Sequence, residues 1–92
     1  MILTLEEAKN YLRIDYPEDD ALITVLIGSA QQICMDIARI EDADEFAASG
    51  DNARTAALYA LGYLYEHRED ADHHKLDLTL RALLFGMRKD VF

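Results

Sequence analysis

The sequence predicts a small all-α protein, a single domain of about four helices whose two long central helices pack antiparallel. Apolar residues recur at helical spacing over most of the chain, and no apolar and polar alternation is long enough for a strand. The chain has 92 residues. A domain of that size buries roughly two-thirds of the surface that its unfolded chain exposes, so residues 1–92 can hold one core without metal or disulfide.

The first predicted helix begins at a cap. Thr4 suits the N-cap position, and Glu7 three residues later completes a capping box. The helix ends near Arg13, and its apolar face consists of Leu5, Ala8, Tyr11 and Leu12.

The second predicted helix runs from about Glu18 to Arg39. Pro17 fits its first turn, and Asp19 and Asp20 add negative charge at its positive N-terminal end. Its apolar stripe consists of Leu22, Ile23, Leu26, Ile27, Ala30, Ile33, Cys34, Ile37 and Ala38.

Residues 41–50 form a predicted polar connector with Phe46 as its anchor. Asp51 or Asn52 is expected to cap the third helix, which should extend to about Glu69. This helix is apolar over most of its circumference, so it is either central in the fold or part of a subunit interface. The residues expected to be among the most buried are Leu26, Ile33, Ala57, Leu61 and Leu64.

The last predicted helix is short. Residues 70–75 should form a loop, and the helix should run from about Asp77 or Thr79 to Phe85, with Gly86 as its C-cap.

Arg68 projects onto the apolar side of the third helix, where an unpaired guanidinium would be costly. In an antiparallel arrangement the turn before the second helix is the nearest dense source of acids. The sequence therefore predicts an ion pair between Arg68 and Asp15, Asp19 or Asp20, the alternative being that its stem lies along the core while its head reaches water.

Charge is divided unevenly along the chain. The formal net charge is -9, and residues 1–53 hold twelve acidic and three basic residues, whereas residues 54–92 hold six of each. No basic stripe is available to neutralise a run of phosphates, which argues against a helical DNA-binding domain. The densest acidic cluster in a loop, a candidate surface toward a channel or a partner, is Glu41, Asp42, Asp44 and Glu45.

Residues for catalysis, cofactor binding or metal binding are not predicted. Ser29, Ser49 and Cys34 have no histidine at a credible spacing, and no glycine-rich phosphate loop occurs. His73 and His74 are adjacent in sequence and cannot easily converge on one ion, even with His67 nearby. Cys34 is the only cysteine and fits a helix core, which favours a reducing cytoplasm.

Neither a membrane span nor a signal peptide is expected, because no apolar run approaches the required length and the N-terminus leads straight into a capped helix.

Three segments resemble the small head-tail connector proteins of tailed bacteriophages: residues 3–27, residues 58–69 (LYALGYLYEHRE) and residues 80–88 (LRALLFGMR). The middle helix closes with the family's aromatic-acid-x-Arg-Glu arrangement, and a short helix with a basic residue, Arg81 or Arg88, follows it. The connector at 41–50 and the loop at 70–75 depart from the pattern.

This resemblance implies a structural virion protein that forms a homo-oligomeric ring at the head-tail junction after assembly in the host cytoplasm. The ring would attach to the portal protein, extend the DNA channel without binding DNA specifically, and dock a tail-side connector or stopper protein. Exposed aromatic side chains should mark a subunit interface, and Tyr59 and Tyr63, one helical turn apart, are the candidates. Charge and helicity alone also permit a different class of protein, a small acidic adaptor or antitoxin-like protein that binds a basic partner.

Overall fold

Helices form where the sequence shows apolar stripes, and a further short helix forms in the connector. The structure is a computed structural model and describes residues 2–67 and 73–84. Within those residues there are five helices and no strand, which confirms the all-α fold class. The helices are α1 (Leu5–Leu12), α2 (Asp20–Ala38), α3 (Ala43–Ala47), α4 (Asp51–Glu66) and α5 (His73–Leu84).

The start of α1 is fixed by the predicted capping box. The Thr4 hydroxyl accepts a hydrogen bond from the Glu7 amide at 3.1 Å, and the Glu7 carboxylate accepts one from the Thr4 amide at 3.0 Å. Two donors that the helix leaves unpaired are thereby satisfied by side chains.

Both α1 and α2 end on an arginine in the left-handed conformation, Arg13 with φ 61° and Arg39 with φ 60°. After each of them an isoleucine amide donates back to the last turn, Ile14 to the Lys9 carbonyl at 2.9 Å and Ile40 to the Met35 carbonyl at 3.0 Å. This is the Schellman pattern, and both isoleucines are buried, so each turn also closes one end of the core.

The helices α2 and α4 form the most extensive contact of the fold, and α1 and α5 each pack against both of them. Tyr65, in the last turn of α4, donates a hydrogen bond to Asp19, which precedes the first residue of α2. The opposite ends of the two helices are joined by the segment that contains α3. The pair is therefore antiparallel, as the sequence predicted.

The buried face of α2 is rotated relative to the predicted apolar stripe, since Met35, which lies outside that stripe, is buried. Ala57 and Leu61 are fully buried and Leu64 is buried, as expected, but Leu26 and Ile33 are only partly buried. Both lie on the edge of the stripe that is farther from Met35. The buried residues of α2 are Ile23, Ile27, Ala30, Cys34, Met35, Ile37 and Ala38.

The connector does not remain irregular, since residues 43–47 form α3 and bury Phe46 completely. The expected cap of α4 is also wrong. Gly50, not Asp51 or Asn52, occupies the N-cap position, and its φ of 95° is a conformation that favours glycine.

The last helix begins four residues earlier than Asp77, at His73, so the second half of the predicted loop is helical. The helix α4 ends at Glu66 with His67 as its C-cap, earlier than the expected end near Glu69. The expected end of the last helix at Phe85 and Gly86 lies outside the described residues.

Among the described helices, α2 is long and apolar enough to cross a membrane by length and composition alone, with a mean hydropathy of 1.5 over its most apolar window. The expectation that no segment approaches a membrane span was therefore too strong. A core helix passes the same test, and α2 contacts α1, α4 and α5 along its buried stripe.

We expect Leu61→Ala to lower the free energy of unfolding by about 2 to 4 kcal/mol, because Leu61 is fully buried in the central pair and its truncation leaves a cavity. Urea denaturation followed by circular dichroism measures the change. Leu78→Ala is the matched control, since Leu78 is 55% exposed and should cost less than about 0.5 kcal/mol. Equal losses in the two variants would contradict the assignment of the core.

We expect the Cys34 thiol to be unreactive toward a thiol reagent such as Ellman's reagent at pH 8 in the folded protein. Cys34 is fully buried, and burial raises its pKa to about 12, so almost no thiolate is present. One equivalent should react in denaturant. Rapid reaction under native conditions would show that this part of α2 opens readily.

Candidate interaction surface

A tyrosine-rich groove lies where the C-terminal end of α1, the second half of α4 and the start of α5 come together. We refer to it as the tyrosine groove. The residues lining it that matter below are Tyr11, Arg13, Tyr59, Gly62, Tyr63, Glu66, His67 and Lys75.

Tyr11 lies directly over the backbone of α4 at Gly62. A Cβ atom added at Gly62 would lie only 3.1 Å from Cε2 of Tyr11, so a side chain at that position would require the ring to shift by a few tenths of an ångström. Tyr11 is nevertheless 47% exposed. One side of its ring rests on α4, and the rest of the side chain is available to a partner.

The predicted pair Tyr59 and Tyr63 lines this groove. Tyr59 is 39% exposed, whereas Tyr63 is partly buried and its ring stacks on His67 with centroids 4.1 Å apart. The imidazole Nδ1 of His67 lies 3.0 Å from the Tyr63 carbonyl oxygen. The two tyrosines thus share one surface, with Tyr59 more accessible and Tyr63 held by its neighbour. A subunit contact at this surface stays a prediction.

Tyr65, which also lines the groove, ties the end of α4 to the start of α2. Its hydroxyl donates a hydrogen bond of 2.7 Å to the Asp19 carboxylate. That hydrogen bond, together with one to Tyr16, raises the pKa of Tyr65 to about 12. Nearby, the Lys9 ammonium binds the Asp20 carboxylate at 2.7 Å, which fixes α1 against α2.

The predicted pair of Arg68 with the acidic turn stays a prediction, because Arg68 lies outside the described residues. The turn does lie beside the end of α4, where Asp19 accepts from Tyr65. Asp20 binds Lys9, and Asp15 is exposed.

The acidic cluster surrounds α3 at the other end of the α2–α4 pair, and all four of its side chains, Glu41, Asp42, Asp44 and Glu45, are exposed. Asp42 also has a structural role, since its carboxylate accepts a hydrogen bond from the Asp44 amide at 2.9 Å and caps α3. Asp36 of α2 lines the same surface. We refer to these five acids as the acidic end. Whether they face a channel or a partner stays a prediction.

The side chains on these two surfaces are of kinds that contact other proteins. Within residues 2–67 and the described part of α5, no group of three or more histidine, cysteine or acidic side chains could hold a metal ion. The side chains of His73 and His74 lie outside the described part. The groove offers phenol rings and a guanidinium, groups that are enriched at protein interfaces, beside one ammonium.

Sequence reasoning found Tyr59 and Tyr63 but missed Tyr11 and Gly62. Tyr11 belongs by spacing to the apolar face of α1, and a glycine inside a helix is the only signal that another group approaches its backbone closely.

The fold is a small helical scaffold with an aromatic groove at one end and a carboxylate cluster at the other. Such surfaces are suited to binding other proteins. A comparison with known families identifies which kind of protein this is. Residues 2–91 match the family model described as Phage gp6-like head-tail connector protein, and the chain belongs to that family. No curated protein and no solved structure matches the chain.

Family membership confirms the resemblance found in the sequence. The chain is therefore a phage structural protein and a virion component of the head-tail junction. Membership of the family implies interaction with portal and tail proteins. The family is not known as one of enzymes.

We expect Tyr65→Phe to lower the midpoint of urea denaturation at pH 7, because the variant cannot donate to Asp19. Tyr59→Phe is the matched control, since it removes one phenol hydroxyl from the exposed side of the same helix and leaves the bond to Asp19 intact, and it should lower the midpoint less. Equal effects would contradict a specific role of the bond between Tyr65 and Asp19.

The same bond predicts a dependence on alkaline pH. The folded-state pKa of about 12 lies above the ordinary tyrosine value of 10. The contribution of Tyr65 to stability is therefore fully present below pH 10 and is lost as the pH rises toward 12. Denaturation midpoints measured between pH 9 and 12 should converge for Tyr65→Phe and the unsubstituted protein. A constant difference across that range would contradict the prediction.

Proposed function

We propose that copies of this chain form a ring beneath the portal, extend the channel through which DNA passes, and present a docking surface to tail-side proteins. Membership of the head-tail connector family over residues 2–91 carries the proposal. Assembly in the host cytoplasm fits a chain whose only cysteine is a buried free thiol.

The distribution of surfaces supports a ring. A ring of many copies requires a heterologous contact, in which one face of each copy meets a different face of the next. The tyrosine groove and the acidic end lie at opposite ends of the α2–α4 pair and differ in chemistry. A contact between two such different surfaces can repeat from copy to copy.

The charge of the chain supports a channel that DNA crosses without binding. A net charge of -9 per copy gives a ring a strongly negative field. Such a field repels the phosphates of a passing duplex over about one Debye length, roughly 8 to 10 Å.

Deletion of the gene from its phage tests the proposed function. The expected result is heads that package DNA but leak it or fail to acquire tails, with normal particles restored when the gene is supplied in trans. Full heads that still join tails in the absence of the protein would rule out the connector function.

A substitution in the groove tests the role of the exposed tyrosines. We expect Tyr59→Ala to keep the fold, because Tyr59 is 39% exposed and lies outside the core cluster, but to reduce the yield of tailed particles in the complemented deletion on the order of tenfold. Leu78→Ala removes a side chain that is more exposed and lies outside the groove, and it should complement fully. Equal yields from the two variants would show that the tyrosine groove is not part of the interface.

A further inference from the structure

The two surfaces at the ends of the molecule suit each other, and we propose that the tyrosine groove of one copy receives the acidic end of the neighbouring copy. This inference rests on the proposed ring function and specifies which faces make the contact.

Charge complementarity is the first argument. Among the described residues that line it, the groove carries Arg13 and Lys75 against one carboxylate, Glu66, and all three side chains are exposed. Among the described residues no ion pair joins Arg13 to an acid. The acidic end carries five carboxylates against one guanidinium, Arg39. Opposite signs therefore meet when the two surfaces face each other.

Shape is the second argument. The helix α3 has only five residues and exposes Ala43 and Ala47 between the acids. Small side chains let the helix approach the rings of Tyr11 and Tyr59, while Asp44 beside them reaches toward the basic groups and phenol hydroxyls of the groove. Tyrosine and arginine are the residues most enriched where interfaces gain their binding energy.

The position of the two surfaces is the third argument. The helix α2 has 19 residues and is therefore about 28 Å long at a rise of 1.5 Å per residue. The groove lies at one end of the α2–α4 pair and the acidic end at the other, so they cannot meet within one chain. Each copy instead offers one of them to the copy before it and the other to the copy after it.

The pairing also reduces the repulsion that a ring of negative subunits must overcome. Each copy carries a net charge of -9. A contact that places several carboxylates beside Arg13 and Lys75 offsets part of this repulsion where the subunits are closest, and salt should weaken it.

Cysteine cross-linking in assembled particles tests the contact. Glu66→Cys places a thiol on the rim of the groove, and Ala47→Cys places one beside the acidic end without removing an acid. Both positions are exposed, so the substitutions should not disturb folding. Cys34 is fully buried and contributes little background. The double variant and each single variant would complement the deleted phage, and purified particles would be treated with a short bis-maleimide.

The double variant should give a ladder of covalent dimers, trimers and larger species, because every copy joins two neighbours. Each single variant should remain monomeric, and particles built from both single variants should give dimers with one copy of each. Homodimers from either single variant would indicate a two-fold contact and overturn the proposal. So would tailed particles that contain the double variant but yield no ladder, an outcome that leaves the connector function intact. Tailed particles without this protein would instead refute the connector function.

Discussion

Close packing of α2 against α4 is the constraint on which the rest of the structure depends. The face of α4 that enters the core is built on fully buried alanines, Ala53, Ala56, Ala57 and Ala60, and Ala30 of α2 is fully buried as well. Small side chains let two helices approach closely, so that Leu61 and Ile27 can fill the space beside the alanines. Because this pair is antiparallel, the end of α4 meets the start of α2. The tyrosine groove and the acidic end therefore lie at opposite ends of the α2–α4 pair.

Most of the fold could be predicted because its signals are local and agree with one another. The capping box at Thr4 and Glu7 and the stripe of α2 specify helices without tertiary information. The helix α3 could not be predicted, since five residues are too few to form a helix alone, and burial of Phe46 stabilises it. The partial exposure of Leu26 and Ile33 could not be predicted either. Periodicity gives the side of a helix that is apolar but not how much of that side the neighbouring helices cover.

The candidate site shows the same division between local and tertiary information. Tyr59 and Tyr63 could be selected from the sequence because they stand one turn apart beside a narrow polar arc. Tyr11 could not, because its spacing is that of a core residue, and its exposure depends on where α1 meets Gly62 of α4. The acids around α3 could be recognised as a cluster from the sequence. Their location at the end of the molecule opposite the groove follows only from the antiparallel packing of α2 and α4. A pattern along the chain thus identifies candidate residues, and packing decides which of them share a surface.

Charge also bears on when the proposed ring would assemble. Free copies that each carry a net charge of -9 repel one another, and the basic side chains of the groove, Arg13 and Lys75, are few. A contact of this kind is weak between two copies in dilute solution. Binding to the portal would hold copies side by side and so raise their effective concentration. Each further contact would then form as if within one molecule. A chain with this charge is therefore suited to remain apart until the portal collects it. A monomer in dilute solution is compatible with a ring on the particle.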